Sequence, residues 1–170
     1  MFRERRVPRP LTVDVRGVVA AALADAGVEH EEREPGQFLV ALPGSRRLRT
    51  HCWLVVREHT LFVQAFVCRR PDDDPAGVFR FLLQRNARLY GVAYMLDRVG
   101  DIHLVGRLPH AAVSAVEVDR LLGQVLEAAD GDFNTLLGLG FAGSIRREYA
   151  WRTARGESVA NLQAFVHLLD

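Results

Sequence analysis

Two apolar runs on either side of a four-residue polar turn, at residues 48–68, set the strongest limit on how this chain can fold. The stretch reads LRTHCWLVV, then REHT, then LFVQAFVC. Val, Leu, Phe, Trp and Thr dominate, and no Gly or Pro interrupts either run, so two strands joined by a tight turn are expected. Alternation puts Leu48, Thr50, Cys52, Leu54 and Val56 on one face of the first strand, with Leu61, Val63, Ala65 and Val67 on one face of the second. The opposite faces carry His51, Trp53 and Val55, then Phe62, Gln64 and Phe66. Neither face is cleanly polar. The hairpin is therefore expected in mid-sheet, with the chain's own helices on one side and a second cover on the other.

At 170 residues the chain fits one domain, expected over 12–170, behind a flexible basic arm at 1–11 that holds four arginines. The net charge of +1 gives no global field toward nucleic acid or an anionic membrane, so the arm reads as a solvated tail. All 22 basic residues are arginine, which excludes a lysine Schiff base and a phosphate-loop lysine. Cys52 and Cys68 form no framework pattern and suit core packing in a reducing compartment. No apolar run approaches membrane-spanning length and no apolar signal core follows the arm, so the expected location is the cytoplasm, without membrane contact.

In chain order, Thr12 can cap a helix over 13–26 that Gly27 ends. Residues 28–34 are acidic and suit a short, ragged edge strand; 37–42 is a strand between Pro35-Gly36 and Pro43-Gly44. Asp72, Asp73 and Asp74 before Pro75 mark the start of a helix reaching about residue 90, a reading that needs no metal. Residues 92–97 and 102–108 form a second hairpin. A long amphipathic helix follows over 116–129, then a helical stretch that Asp132 would cap, then helices over 145–151 and 159–169. Short turns between strands give an α+β domain: an antiparallel sheet of about five strands with helices packed on it, in the order α-β-β-β-α-β-β-α.

The motifs that resemble catalytic or cofactor sites fail on context. Residues 138–143, GLGFAG, match the dinucleotide fingerprint by letter, but a helical stretch precedes them and no βαβ unit surrounds them. Their simpler reading is a tight bend between closely packed helices. Asp130, Asp132 and Asn134 begin like a calcium loop, yet Thr135 and Phe141 stand where Gly and Glu are required. His51, Cys52, His59 and Cys68 match no zinc spacing, and alternation sends His51 and Cys52 to opposite faces. Ser144 lacks a nucleophile elbow. No catalytic residue, metal or cofactor is expected. Arg146, Arg147, Arg152 and Arg155 form a basic cluster that Glu148 and Glu157 dilute, which does not amount to a nucleic-acid site.

A surface remains. Trp53, Val55, Phe62, Gln64 and Phe66 are the candidate binding residues for a protein or peptide partner, provided no helix lies over them. The competing expectation is that the C-terminal helices bury this face. The segments FLLQRNARLYGVAYMLD (81–97), IHLVGRLP (102–109) and DGDFNTLLGLGFAGSIRREYAWR (130–152) resemble YbjN-domain proteins of the actinobacterial kind, a family labelled as sensory transduction regulators with a type III secretion chaperone-like fold. The resemblance spans about residues 12–152 and implies the same α-β-β-β-α-β-β-α order. It also implies a non-enzymatic protein-binding module, often dimeric, and assigns no catalytic residue. The expected function is thus a cytosolic chaperone-like or regulatory module that holds a partner or a second copy of itself. The alternative is a small-ligand binder or enzyme in which Arg85, Asn86, Tyr94 and His103 converge in a pocket, although Arg85 and Asn86 read more simply as bracing groups.

Overall fold

The computed structural model describes residues 14–169. The basic segment 1–11 and Thr12 lie outside the described residues. Helix α1 (Val15–Asp25) starts behind Asp14, whose carboxylate accepts the Gly17 N–H at 3.0 Å. The cap is therefore Asp14. Strands β1 (Glu29–Glu34), β2 (Gln37–Pro43), β3 (Arg49–Val56) and β4 (Thr60–Cys68) follow as a meander. Helix α2 (Pro75–Asn86) leads to β5 (Val92–Leu96) and β6 (Ile102–Pro109). Helices α3 (Ala115–Gly131), α4 (Phe133–Gly140) and α5 (Ala142–Arg155) complete the α-helical part. The tail, Ala160–Leu168, is a 3-10 helix where an α-helix was expected.

The fold class is as expected, α+β, with six strands rather than five because the acidic segment does form edge strand β1. All pairings are antiparallel, in the order β1-β2-β3-β4-β6-β5. The 48–68 hairpin therefore occupies the centre of the sheet. The second hairpin joins it through its later strand, β6, leaving β5 at the edge. Six exposed residues, four of them glutamates, line β1, and a bulge interrupts its register between Glu32 and Glu34. Both features discourage chance strand addition at that edge.

The helices lie on one face of the sheet. Cys52, Leu54, Leu61, Val63, Ile102 and Leu104 point toward them and share one core with Val19, Leu23, Val78, Leu121, Val125 and Leu136. The three aspartates before α2 act in three ways. Asp74 caps α2 by accepting the Gly77 N–H at 3.0 Å, Asp73 accepts the Gly143 N–H at 2.8 Å, and Asp72 accepts from Ser144 Oγ and pairs with Arg69. The Arg69 guanidinium, then the Ser144 hydroxyl, hold the Asp72 carboxyl down to about 2. The Gly140 carbonyl accepts from both the Asp72 and Asp73 N–H at 2.9 Å. The glycine-rich stretch is accordingly the seam where α4 and α5 meet the start of α2. A Cβ at Gly140 would sit 3.1 Å from Pro71 and 3.3 Å from Val78.

Candidate functional site

The outer face of the sheet is built from the residues that alternate away from the helices. Its middle row runs Glu31, Leu39, Trp53, Gln64, Val105 and Ala93 across all six strands. Beside it lies a row of Glu34, Gln37, Val55, Phe62 and Arg107. On the other flank, Phe66 pairs with His103 and His103 with Met95, while Ala41 pairs with Glu29 and His51. Among the described residues, none of Leu39, Trp53, Val55, Phe62, Phe66 or Val105 belongs to the hydrophobic core or packs against it. All five candidate binding residues thus share this face, and the C-terminal helices do not lie across it. The reason is topological: α4 and α5 pack on α2, α3 and the 3-10 tail, and meet the face at its Phe66 margin.

Trp53, Val55 and Gln64 are half-buried, and Phe66 is exposed. Phe62 differs: it is 7% exposed although it does not belong to the helix-covered core cluster. The Arg57 guanidinium lies 3.9 Å from the Phe62 ring centre and that of Arg107 lies 5.1 Å away. The two arginines cover the ring with their planar groups, an arrangement favoured by attraction to the negative face of the aromatic ring. Neither forms an ion pair within the described residues; Glu58, in the same turn, pairs with His59.

At the Phe66 margin the face runs into an open groove of about 500 Å³. Its walls include Phe133, Phe141, Ile145 and Leu162, with Arg47 and Phe66 at the rim. Arg47 donates to the Phe66 and Val67 carbonyls at 3.0 and 2.8 Å and lies 6.0 Å from the Phe66 ring and 5.7 Å from Phe133. It too has no carboxylate partner among the described residues, and burial pushes its pKa below the ordinary value. The loop carrying it is fixed by Asp130 at the end of α3, which accepts the Arg46 and Arg47 N–H groups at 2.8 Å each and the Ser45 hydroxyl at 2.8 Å. Burial opposes ionisation of Asp130, but these hydrogen bonds outweigh it and hold the carboxyl at about 2. Cys68 also lines the groove; burial pushes its thiol up to about 11, and that of Cys52 up to about 12, so neither is an activated nucleophile.

The polar quartet does not converge as a pocket. Arg85 pairs with Asp132 at 2.8 Å and with Glu127 at 2.5 Å, and the Tyr94 hydroxyl donates to Asp132 at 2.8 Å. Asn86 accepts the Tyr94 N–H at 2.7 Å and donates to its carbonyl at 3.2 Å, occupying two of the groups an added strand would use in the middle of β5. His103 lies on the outer face, 3.5 Å from Asp97 and 3.4 Å from Gln64. Three of the four residues form a brace between α2, β5 and the α3–α4 junction. Asp132 belongs to this brace and makes no side-chain cap to α4, contrary to expectation, because Arg85 and Tyr94 take its oxygens. Among the described residues, no group of three or more His, Cys, Asp or Glu stands close enough to hold a metal ion, and no helix is long and apolar enough to cross a membrane. The basic C-terminal cluster is engaged locally: Arg152 pairs with Glu148, Arg147 donates to Ser144, and Arg146 to the Leu168 carbonyl.

The family model described as "Putative bacterial sensory transduction regulator", YbjN, matches residues 16–138, most of the chain. The chain belongs to the YbjN family. Its similarity to an uncharacterized protein of Mycobacterium leprae is 59% identity over 134 residues, covering 79% of this chain and 73% of the relative. An uncharacterized protein of Mycobacterium tuberculosis strain H37Rv is 60% identical over the same coverage. Among solved structures, this YbjN chain resembles one in the ExsC–ExsE complex, with TM-score 0.53 and 17% identity, covering 74% of this chain and 96% of the other. A chain of the HopA1–SchA chaperone–effector complex gives TM-score 0.52 and 14% identity, covering 73% and 98%. The heterodimeric ExoU–SpcU complex from the type III secretion system of Pseudomonas aeruginosa gives 0.50 and 18%, covering 71% and 96%. At these identities the likeness shows a shared fold.

Proposed function

We propose that this YbjN protein is a non-enzymatic protein-binding module, chaperone-like or regulatory, that holds a partner on the outer face of its sheet and works in the cytoplasm. The observation that carries this reading is the apolar row Leu39–Trp53–Val105, which lies across the strands with no helix over it. A half-exposed apolar face of this kind, interrupted by Gln64 and bordered by the exposed Phe66, suits an interaction surface. The structural neighbours support it, since three come from complexes with a protein partner. A second copy of the chain is an alternative occupant. The enzyme or small-ligand reading loses its motivating residues: Asp132 takes up Arg85 and the Tyr94 hydroxyl, Asn86 bonds the Tyr94 backbone, and His103 faces the other way.

The test is a photo-crosslinking residue placed at Val55, with a second version at the exposed Leu83 on α2, both expressed in the native host. Crosslinks to one protein, or to a second copy, from position 55 and not from 83 are the expected result. Equal or absent crosslinking from both positions would rule out the outer face as the binding surface.

A further inference from the structure

We infer that the occupant of the outer face is an extended protein segment carrying two carboxylates four residues apart with apolar residues around them, lying along β4; this rests on the binding reading above. Along the outer side of β4 stand Phe62, Gln64 and Phe66. Each of the two rings is flanked by guanidinium groups: Arg57 and Arg107 at Phe62, Arg47 at Phe66. None of these three arginines has a carboxylate within ion-pair distance among the described residues, whereas Arg16, Arg33, Arg49, Arg69, Arg85, Arg120 and Arg152 all do. Other arginines, Arg70, Arg88 and Arg98 among them, also lack an ion pair among the described residues; what sets Arg57 and Arg107 apart is that both lie over one ring, Phe62, on the apolar outer face. Arg57 and Arg107 approach the same ring, where their mutual repulsion is relieved by an incoming anion.

Residues i and i+4 of a strand share a face and lie about 13 Å apart. A segment running along β4 would thus place one carboxylate at the Phe62 end and one at the Phe66 end, with apolar side chains between them over Trp53 and Val105. The residue beyond the Phe66 end can drop an apolar side chain into the groove walled by Phe133 and Phe141. Guanidinium groups held against aromatic rings are already oriented, so little side-chain entropy is lost on pairing with a carboxylate. A polyanion such as nucleic acid fits poorly, because Glu29, Glu31 and Glu34 border the same face at β1 and would repel it. Strand addition at β5 is also disfavoured, since Asn86 already fills the Tyr94 edge groups.

The test begins with selection of binders by the full chain from a displayed library of random twelve-residue peptides. Recovered peptides are then measured against wild type, Trp53→Ser and the triple variant Arg47→Gln, Arg57→Gln, Arg107→Gln. The expected outcome is enrichment of Asp or Glu at i and i+4 among apolar residues. Replacing those acids by Asn or Gln should weaken binding to wild type about tenfold or more, since hydrogen bonds to charged groups are the strong ones. The triple variant should lose the same factor for the acidic peptides and bind the neutral ones within about threefold of wild type. The wild-type comparison of acidic and neutral peptides stands even if the triple variant does not fold. Peptides without acidic preference that still lose affinity to Trp53→Ser would overturn this inference and leave the binding face intact. Binders indifferent to Trp53→Ser, or no binders at all, would overturn both. A stable dimer broken by Arg57→Glu, or salt-sensitive binding of a poly-dT oligonucleotide, would also overturn the acidic-segment inference, in favour of a second copy or nucleic acid.

Discussion

Thr50 sits on the core side of β3 with no exposed surface, and its Oγ1 has no hydrogen-bond partner among the described residues. A buried hydroxyl without a partner carries a desolvation penalty of about 1–3 kcal/mol. Thr50→Val keeps the shape, removes the hydroxyl, and is expected to leave stability unchanged or raise it by about 1 kcal/mol, read from the urea midpoint at constant m. Asp132 presents the opposite case. Its carboxylate is bonded to Arg85 and Tyr94, with the Arg85 side chain only 17% exposed. Asp132→Ala leaves that guanidinium with Glu127 alone and is expected to cost about 3 kcal/mol. The double variant Arg85→Met, Asp132→Leu should recover most of the loss, because removing both charges leaves none uncompensated; a double as unstable as the single would refute the brace. The sequence shows both residues but not their roles. Thr50 is placed on the correct face by alternation, yet its missing partner depends on packing. Asp132 looks like a cap by position, and only the arrival of Arg85 from 47 residues away makes it the centre of a network.

At the scale of elements, alternation and turn chemistry placed the strands and helices within a few residues, because each signal is local. The order β4-β6-β5 and the Phe66 groove were not legible, since Arg47, Phe133, Phe141 and Leu162 come from segments that no period connects. The burial of Phe62 by Arg57 and Arg107 was hidden for the same reason. Asp130 shows how one such long-range contact governs an element, holding the β2–β3 loop and with it Arg47. Its folded pKa is depressed to about 2, below the ordinary value of about 3.9. The sign follows: its contribution is complete above the unfolded value and disappears as pH falls through the folded one. Wild type should therefore be more stable than Asp130→Ala by a constant margin above about pH 5, and the margin should shrink between about pH 4 and pH 2. A margin independent of pH in urea titrations would mean the carboxylate charge is not what fixes the loop. The seam at Gly140 is equally local in sequence and non-local in effect: a methyl there meets Pro71 and Val78, so Gly140→Ala is expected to cost about 1–3 kcal/mol.

The described residues form a sheet whose helices pack on one side, and this asymmetry makes neighbouring residues of one strand respond in opposite ways. Leu54 points into the core and is fully buried; Val55, next to it, points to the outer face between its strand partners Gln37 and Phe62 and is half-buried. Leu54→Ala removes packed methyl groups and leaves a cavity that the surrounding helices and strands cannot close, at an expected cost of about 2–5 kcal/mol. Val55→Ala removes methyl groups that already contact water on one side and should cost under about 1 kcal/mol in the isolated protein. With a partner bound the balance changes, because the occupant turns position 55 into an interior site. The stabilisation that a saturating partner adds to wild type should then be smaller for Val55→Ala and unchanged, kilocalorie for kilocalorie, for a conservative core change such as Val63→Ile. Urea midpoints of the free proteins test the first half of the argument, and midpoints with the peptide binder present test the second. Equal losses for Leu54→Ala and Val55→Ala in the free protein would mean that something covers the outer face even without a partner, which the packing of the helices on the other side argues against.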